Sequence, residues 1–185
     1  MCFQDEAGVT LRPPKARTWS RRGRTPVVRV SGRGSGRVSM AALIATRPGL
    51  RTRLCFTTRL HRGRKGERKS FAERDYIALL DSVHQQLRAP IILVWDRLNT
   101  HVSAVMRELI AARAWLRVVL LPSYAPDLNP VEAVWSHVKR SLVNLTAGSL
   151  DRLAALARNR LKSLQYQPGT LDGFIAGTGL AFQPP

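Results

Sequence analysis

Ile91-Ile-Leu-Val-Trp-Asp96 decides how the chain is organised. A short unbroken apolar run ended by an acid is the pattern of a strand buried on both faces, because a strand with one wet face alternates apolar and polar residues. Downstream, Val102, Val105, Met106, Leu109 and Ile110 recur at helical spacing, and Arg117-Val-Val-Leu-Leu121 repeats the buried-strand pattern until Pro122 stops it. Two such strands joined by a helix call for a parallel crossover. A third helix is expected from Pro130, with Val131, Val134, Trp135, Val138 and Leu142 on one stripe, and a fourth from about Leu150 to Leu164. Gln167 to Pro185, rich in Gly and Pro, reads as a loosely ordered tail.

Upstream of Ile91, Ser70-Phe-Ala-Glu73 has capping-box form and opens a helix with Tyr76, Ile77, Leu80, Val83, His84 and Leu87 on one stripe. Before it, Val27 to Val30, Val38 to Thr46 and Leu50 to Thr57 read as strands, separated by Gly32 to Gly36 and by Pro48-Gly49. A meander followed by alternating strand and helix predicts an α/β fold with a mixed sheet, antiparallel then parallel, flanked by helices. No internal repeat is present.

At 185 residues, with 44% hydrophobic and 23% charged, the chain is long and apolar enough for one domain with its own core. Its net charge of +18 points to a polyanionic partner, nucleic acid or an anionic membrane surface. Residues 11–70 hold eighteen basic residues against the single acid Glu67, and Arg12 to Pro26 reads as an extended Pro/Gly/Arg-rich arm. Biased coding DNA would account for 25 Arg against 5 Lys, but not for the excess of base over acid. No eighteen-residue apolar run or signal-peptide layout is found, so a cytoplasmic protein without membrane attachment is expected. Cys2 and Cys55 form no CxxC pair or Cys/His cluster and read as plain thiols.

Three acids fall where such a sheet would gather them: Asp5 in the first strand-like stretch, Asp96 past the Ile91 strand, and Glu132 in the first turn of the third helix. Ligands of open sheets bind at the carboxyl ends of strands. Three carboxylates without His or Cys make a hard all-oxygen site suited to Mg²⁺ or Mn²⁺, and hence to phosphoryl transfer. Each acid has a second reading. Asp5, with Glu6 and Gly8, would suit a solvated turn; Asp96 would cap the helix near His101 or pair with Arg97; Glu132 would close a capping box with Asn129. Beside Glu132 on its helix face stand Ser136, Lys139 and Arg140, an acid with two bases suited to a phosphate backbone. Arg21, Arg22 and Arg24 are DNA-contact candidates in the arm. Trp19 either stacks on a base or anchors the loop, anchoring being the more usual fate of a single Trp; Trp95 and Trp135 read as core.

Phe3-Gln-Asp-Glu-Ala-Gly8, Thr18-Trp-Ser-Arg-Arg-Gly-Arg-Thr-Pro26, Leu93-Val-Trp-Asp-Arg-Leu-Asn-Thr-His101 and Leu121-Pro-Ser-Tyr-Ala-Pro-Asp-Leu-Asn-Pro-Val-Glu-Ala-Val-Trp-Ser-His-Val-Lys139 resemble, in order along the chain, the catalytic domain of DDE transposases of the mariner-like superfamily, in its bacterial insertion-sequence branch. The resemblance covers roughly residues 3–165. It implies a ribonuclease H-like fold in which Asp5, Asp96 and Glu132 bind two Mg²⁺ ions, with Mn²⁺ as a substitute. It implies cleavage of double-stranded DNA at transposon ends and joining of the freed 3′-hydroxyl to target DNA. Asn99 and His101 would shape the site beside Asp96, and Lys139 would contact phosphate. Residues 1–148 would form the catalytic domain, with a C-terminal helix and tail at 149–185 packing on it.

Departures accompany the match. Arg97 stands where many relatives have Asn, and only four residues precede Asp5, which predicts a frayed first strand. Nothing matches the relatives' N-terminal helix-turn-helix domains, so the chain reads as a catalytic half, one product of a two-frame element or a degraded remnant. The resemblance also implies a homodimer on DNA, a separate helix-turn-helix polypeptide and a nucleoid-associated location. The competing functional readings are a catalytically inactive remnant that binds DNA non-specifically and, ranked well below it, a structural nucleoid or ribosomal protein.

Overall fold

The computed structural model describes residues 1–14, 16–17, 19–27, 36–68 and 70–180. Strands β1 (Cys2–Thr10), β2 (Arg37–Ala45), β3 (Arg53–His61), β4 (Ile91–Trp95) and β5 (Leu116–Leu120) form one sheet in the order β3-β2-β1-β4-β5. The helices are α1 (Glu73–Leu87), α2 (Asn99–Val102), α3 (Ala104–Ala111), α4 (Pro130–Ser141), α5 (Leu150–Gln165) and α6 (Pro168–Ala176), with a 3₁₀ turn at Pro126–Leu128. β1 to β3 make an antiparallel meander, and β1, β4 and β5 run parallel, as the alternation of patterns predicts.

β1 is the central strand, and its pairing decides where the site lies. It pairs with β2 along its whole length, from Cys2↔Ala45 to Thr10↔Arg37, but with β4 only at Cys2↔Leu93 and Phe3↔Val94. Beyond Phe3 the parallel strands part, opening the sheet at their carboxyl ends. The expected fraying of the first strand does not occur, because β2 supplies a full ladder and the Met1 amino group donates to the Thr46 carbonyl at 2.8 Å.

Strand alternation sorts β1 onto two cores. Phe3, Ala7 and Val9, with Val38, Met40, Ala42 and Ile44, pack against α4, α5 and α6. Cys2, Ala41, Leu43 and Ala45, with Leu93 and Trp95, pack under α1 and α3. Burying β4 and β5 on both faces is only partly realised. β5 is an edge strand, and Ile92 and Val119 stay 45% and 50% exposed on the side of the sheet that carries Val94.

Other expectations shift. Val27 is exposed and outside any strand, whereas Val28–Val30 and residues 32–35 of the expected turn lie outside the described residues. β3 begins at Arg53 rather than Leu50. The α1 cap is not Ser70: the helix starts after Ala72, whose N–H donates to Asp75 at 2.8 Å, because Asp75 stands in the first turn and reaches back. The expected second helix is broken at Ser103, whose hydroxyl caps α3 through the Met106 N–H. The expected loose tail is helical through Ala176, burying Leu171 and Ile175 in the core that includes α4. Among the described residues no helix is long and apolar enough to cross a membrane.

Candidate active site

Asn129 brings α4 to β1. Its Oδ1 accepts from the Val131 N–H at 3.2 Å, capping the helix, while its Nδ2 donates to the Gln4 carbonyl at 3.0 Å. Pro130 begins the helix where its missing N–H has no partner to lose, and Glu132 lies in the first turn, where the helix dipole favours a negative charge. Trp135, on the buried stripe, donates from Nε1 to Asp5 Oδ2 at 2.8 Å. The expected core role of Trp135 therefore includes a polar duty. Among the hydrogen bonds of the described residues none uses the Glu132 carboxylate, so its capping box lacks the reciprocal bond.

Asp5, Asp96 and Glu132 line one cleft of about 420 Å³, shared with Arg97, Asn129 and the loop Pro122–Pro126. Three separate elements deliver the acids: the middle of β1, the residue after β4 and the first turn of α4. Among the described residues no three His, Cys, Asp or Glu side chains are already drawn together tightly enough to hold one ion. The acids stand around the cleft rather than at a single point.

Their environments differ. Asp5 is 9% exposed. Its pKa is pushed up to about 7, first by burial and then by the charge of Glu132, against the pull of the Glu6 N–H and Trp135. Asp96 is half exposed, and its carboxyl is held below the usual range chiefly by His101. His101 Nδ1 lies 2.8 Å from Asp96 Oδ1, which also accepts from the Leu98 N–H at 3.1 Å. The capping alternative for Asp96 is thus met by a local turn, and the same carboxylate still faces the cleft.

His101 lies in α2 and is 3% exposed. Its ring stacks on Trp95, 4.0 Å between centroids and 2° apart, and meets Tyr76 edge-on at 4.8 Å. Beyond it, Nε2 lies 3.8 Å from Glu6 Oε2, which accepts from the Tyr76 hydroxyl at 2.6 Å. Glu6 and Tyr76 escape the sequence reading. The signal available was the Asp5-Glu6 pair itself, since consecutive acids in a buried strand must face opposite sides, each needing its own partner.

The remaining candidates are scattered. Asn99 opens α2, exposed and outside the cleft. Lys139 and Arg140 are exposed on the last turn of α4, and Lys139 borders a groove formed with Gly8–Pro14. That start of the arm is tied to the α4–α5 loop, where the Asn144 N–H donates to the Pro14 carbonyl at 3.2 Å and Asn144 Nδ2 to the Ala16 carbonyl at 3.1 Å. Arg21, Arg22 and Arg24 follow on an exposed turn. Trp19 is fully exposed, so it does not anchor the arm as the usual fate of a lone Trp predicts. Cys2 and Cys55 are buried free thiols.

The fold has solved counterparts. The Mos1 strand transfer complex aligns with a TM-score of 0.60 at 14% identity, over 98% of this chain and 55% of that one. The mariner Mos1 paired end complex with Mg gives 0.60 at 14% identity, over 98% of this chain and 56% of that one. The simian T-cell lymphotropic virus intasome in complex with PP2A regulatory subunit B56 gamma gives 0.54 at 10% identity, over 100% and 55%. The chain thus spans about half the length of these structures and shares their ribonuclease H-like fold. No curated protein matches the sequence. Residues 1–154 match the family described as DDE superfamily endonuclease, and since that is most of the 185-residue chain, the chain belongs to this family.

Proposed function

We propose that the chain is the catalytic domain of a DNA transposase, cutting double-stranded DNA at transposon ends and transferring the freed strand into target DNA. The observation that carries this reading is the meeting of Asp5, Asp96 and Glu132 on one cleft at the opened carboxyl ends of β1 and β4. In this reading water attacks the phosphodiester in the cut and the 3′-hydroxyl attacks in the joining step, with no covalent enzyme intermediate. Family membership and the likeness to transposase complexes, one of them with Mg, support it.

The donor set fits hard divalent cations. It is all oxygen, and a buried carboxyl that burial and a neighbouring carboxylate keep protonated to about pH 7 is a group whose charge lacks a counter-charge. Asp5, Asp96 and Glu132 would hold Mg²⁺ or Mn²⁺, two ions in all. Bound there, such ions activate an attacking oxygen and stabilise the leaving oxygen of an in-line displacement. The protein's own part is positioning: Trp135 and the Asn129 tie fix Asp5 against α4, and His101 and the Leu98 N–H fix Asp96. Lys139, Arg140, Arg21, Arg22 and Arg24 would grip the phosphate backbone, the arm being tied to the α4–α5 loop through Asn144. α5 and α6, in residues 149–185, complete the core beneath the site and belong to the same domain in this reading. A second copy on the other DNA end and a separate helix-turn-helix polypeptide would complete the machine, acting on DNA in the cytoplasm.

Nicking of supercoiled plasmid by the full chain, with Mg²⁺ or Mn²⁺ and without, tests this. Cation-dependent nicking that Asp96→Asn abolishes while the far-ultraviolet spectrum and melting stay near wild type is expected. Equal nicking by the variant would contradict it. DNA binding that is salt-sensitive, cation-indifferent and never followed by nicking would favour the non-catalytic remnant.

A further inference from the structure

We propose that Glu6 is a positioning residue for Asp96, acting through His101; this rests on the carboxylate-site reading above. Neighbouring residues of a strand face opposite sides, so Asp5 enters the cleft and Glu6 points to the α1 side of the sheet, outside the cleft lining. From there Glu6 reaches the site through one side chain. Tyr76 donates its hydroxyl to Glu6 Oε2 at 2.6 Å, Glu6 Oε2 lies 3.8 Å from His101 Nε2, and His101 Nδ1 lies 2.8 Å from Asp96 Oδ1.

The imidazole has little freedom except the choice of which edge faces Asp96. It is buried, stacked parallel on Trp95 and braced edge-on by Tyr76. Turning the ring over within that slot would put carbon where Nδ1 now meets Asp96. Where the ring donates from both nitrogens, the Glu6 carboxylate opposes this: the N–H at Nε2, an atom that has no hydrogen-bond partner among the described residues, faces Glu6 Oε2 as the N–H at Nδ1 faces Asp96, and the flip would turn carbon toward both. With Nδ1 as donor, both hydrogen bonds to Asp96, from His101 and from the Leu98 N–H, fall on Oδ1. Oδ2 is then the oxygen kept for a cation. Two consecutive residues of β1 thus serve one cleft, Asp5 directly and Glu6 at one remove. Outer partners that orient metal-binding groups in this way commonly change affinity 10- to 100-fold.

The test is a double-mutant cycle on Mn²⁺ affinity, read by counting free Mn²⁺ by electron paramagnetic resonance in the full chain without DNA. Glu6→Gln keeps the size and still accepts from Tyr76 but loses the charge; it should weaken Mn²⁺ binding about tenfold. His101→Gln should weaken it at least as much, and the double variant should be no weaker than His101→Gln alone. A merely structural Glu6 would move the melting temperature and leave that non-additivity absent. Wild-type affinity in Glu6→Gln, or its full loss repeated on the His101→Gln background, would overturn the proposal. Should Glu6→Gln fail to fold, Tyr76→Phe replaces it, with a few-fold loss expected that disappears beside His101→Gln; additive losses there would overturn the proposal equally. A wild-type chain that binds no Mn²⁺ would instead defeat the carboxylate-site reading, and the role of Glu6 with it.

Discussion

Asp5 and Asp96 are the same residue type on one cleft, with their pKa values displaced in opposite directions. Asp5 is buried against α4, and its proton is held to about pH 7 by burial and by Glu132; Asp96 is half exposed and held ionised by His101 and a backbone N–H. The difference teaches that the cleft is not a uniform well of negative charge. Asp96 carries its charge at any physiological pH, whereas Asp5 changes charge near pH 7. Burial on the Asp5 side also makes that side part of the core, whereas the Asp96 side is a local clasp at the end of an open strand.

The sharpest way to break this contrast is at Trp135. Trp135→Ala removes a fully buried indole from the core under α4 and should cost about 3–5 kcal/mol in a urea melt. Trp135→Phe keeps a ring but strips the donor from Asp5, at about 1–3 kcal/mol, and should drive the Asp5 titration higher still in carboxyl ¹³C spectra. An unmoved titration would mean that the indole does not hold Asp5.

Asp5→Asn sharpens the same point by its sign. A carboxyl whose folded pKa lies near 7, above the ordinary 3.8, favours folding below pH 3.8 relative to higher pH and loses that contribution as pH rises through 7. Asn has no charge to bury, so Asp5→Asn should stabilise the cation-free chain at pH 8 by about 1–3 kcal/mol and much less at pH 5. Equal effects at both pH values would contradict the assignment. Asp96→Asn should move stability less, under about 1 kcal/mol at pH 7, because Asp96 itself is half exposed and an amide oxygen still accepts from His101 and from the Leu98 N–H. Its folded pKa is lowered, so the stability it contributes above pH 3.8 should fade as pH drops through that lowered value.

The basic surface gives the smallest signal per residue. Lys139→Ala or Arg140→Ala should lower the slope of log affinity for duplex DNA against log salt by about 0.9 each, with no change in melting. A slope that stays at the wild-type value would remove α4 from the DNA interface.

How far the fold could be read from the chain followed from how local its causes are. Ile91–Trp95, the start of α4 at Asn129-Pro130 and the start of α5 at Leu150 rest on patterns within a few residues, and the structure agrees with each. α6 was not legible because Pro168-Gly-Thr-Leu-Asp-Gly-Phe-Ile-Ala176 carries two helix-weakening glycines, and burying Leu171 and Ile175 overrides that propensity. The break at Ser103 and the move of the α1 cap to Ala72 turn on a single hydroxyl and on Asp75. In the candidate site, Asp5, Asp96 and Glu132 were legible as an acid within the first strand and two acids at element ends, whereas Glu6, Tyr76 and the Trp135 bond depend on which sides of β1 meet α1 and α4. That pairing is long-range, 130 residues apart for Asp5 and Trp135, and no local pattern encodes it.

Calorimetric titration of Mn²⁺ into the full chain, beside Asp5→Ala, tests most directly whether the opened strands of this sheet deliver a working cation site. Saturable binding near two ions per chain that Asp5→Ala loses is the predicted result. Binding that is absent, or identical in both proteins, would contradict it.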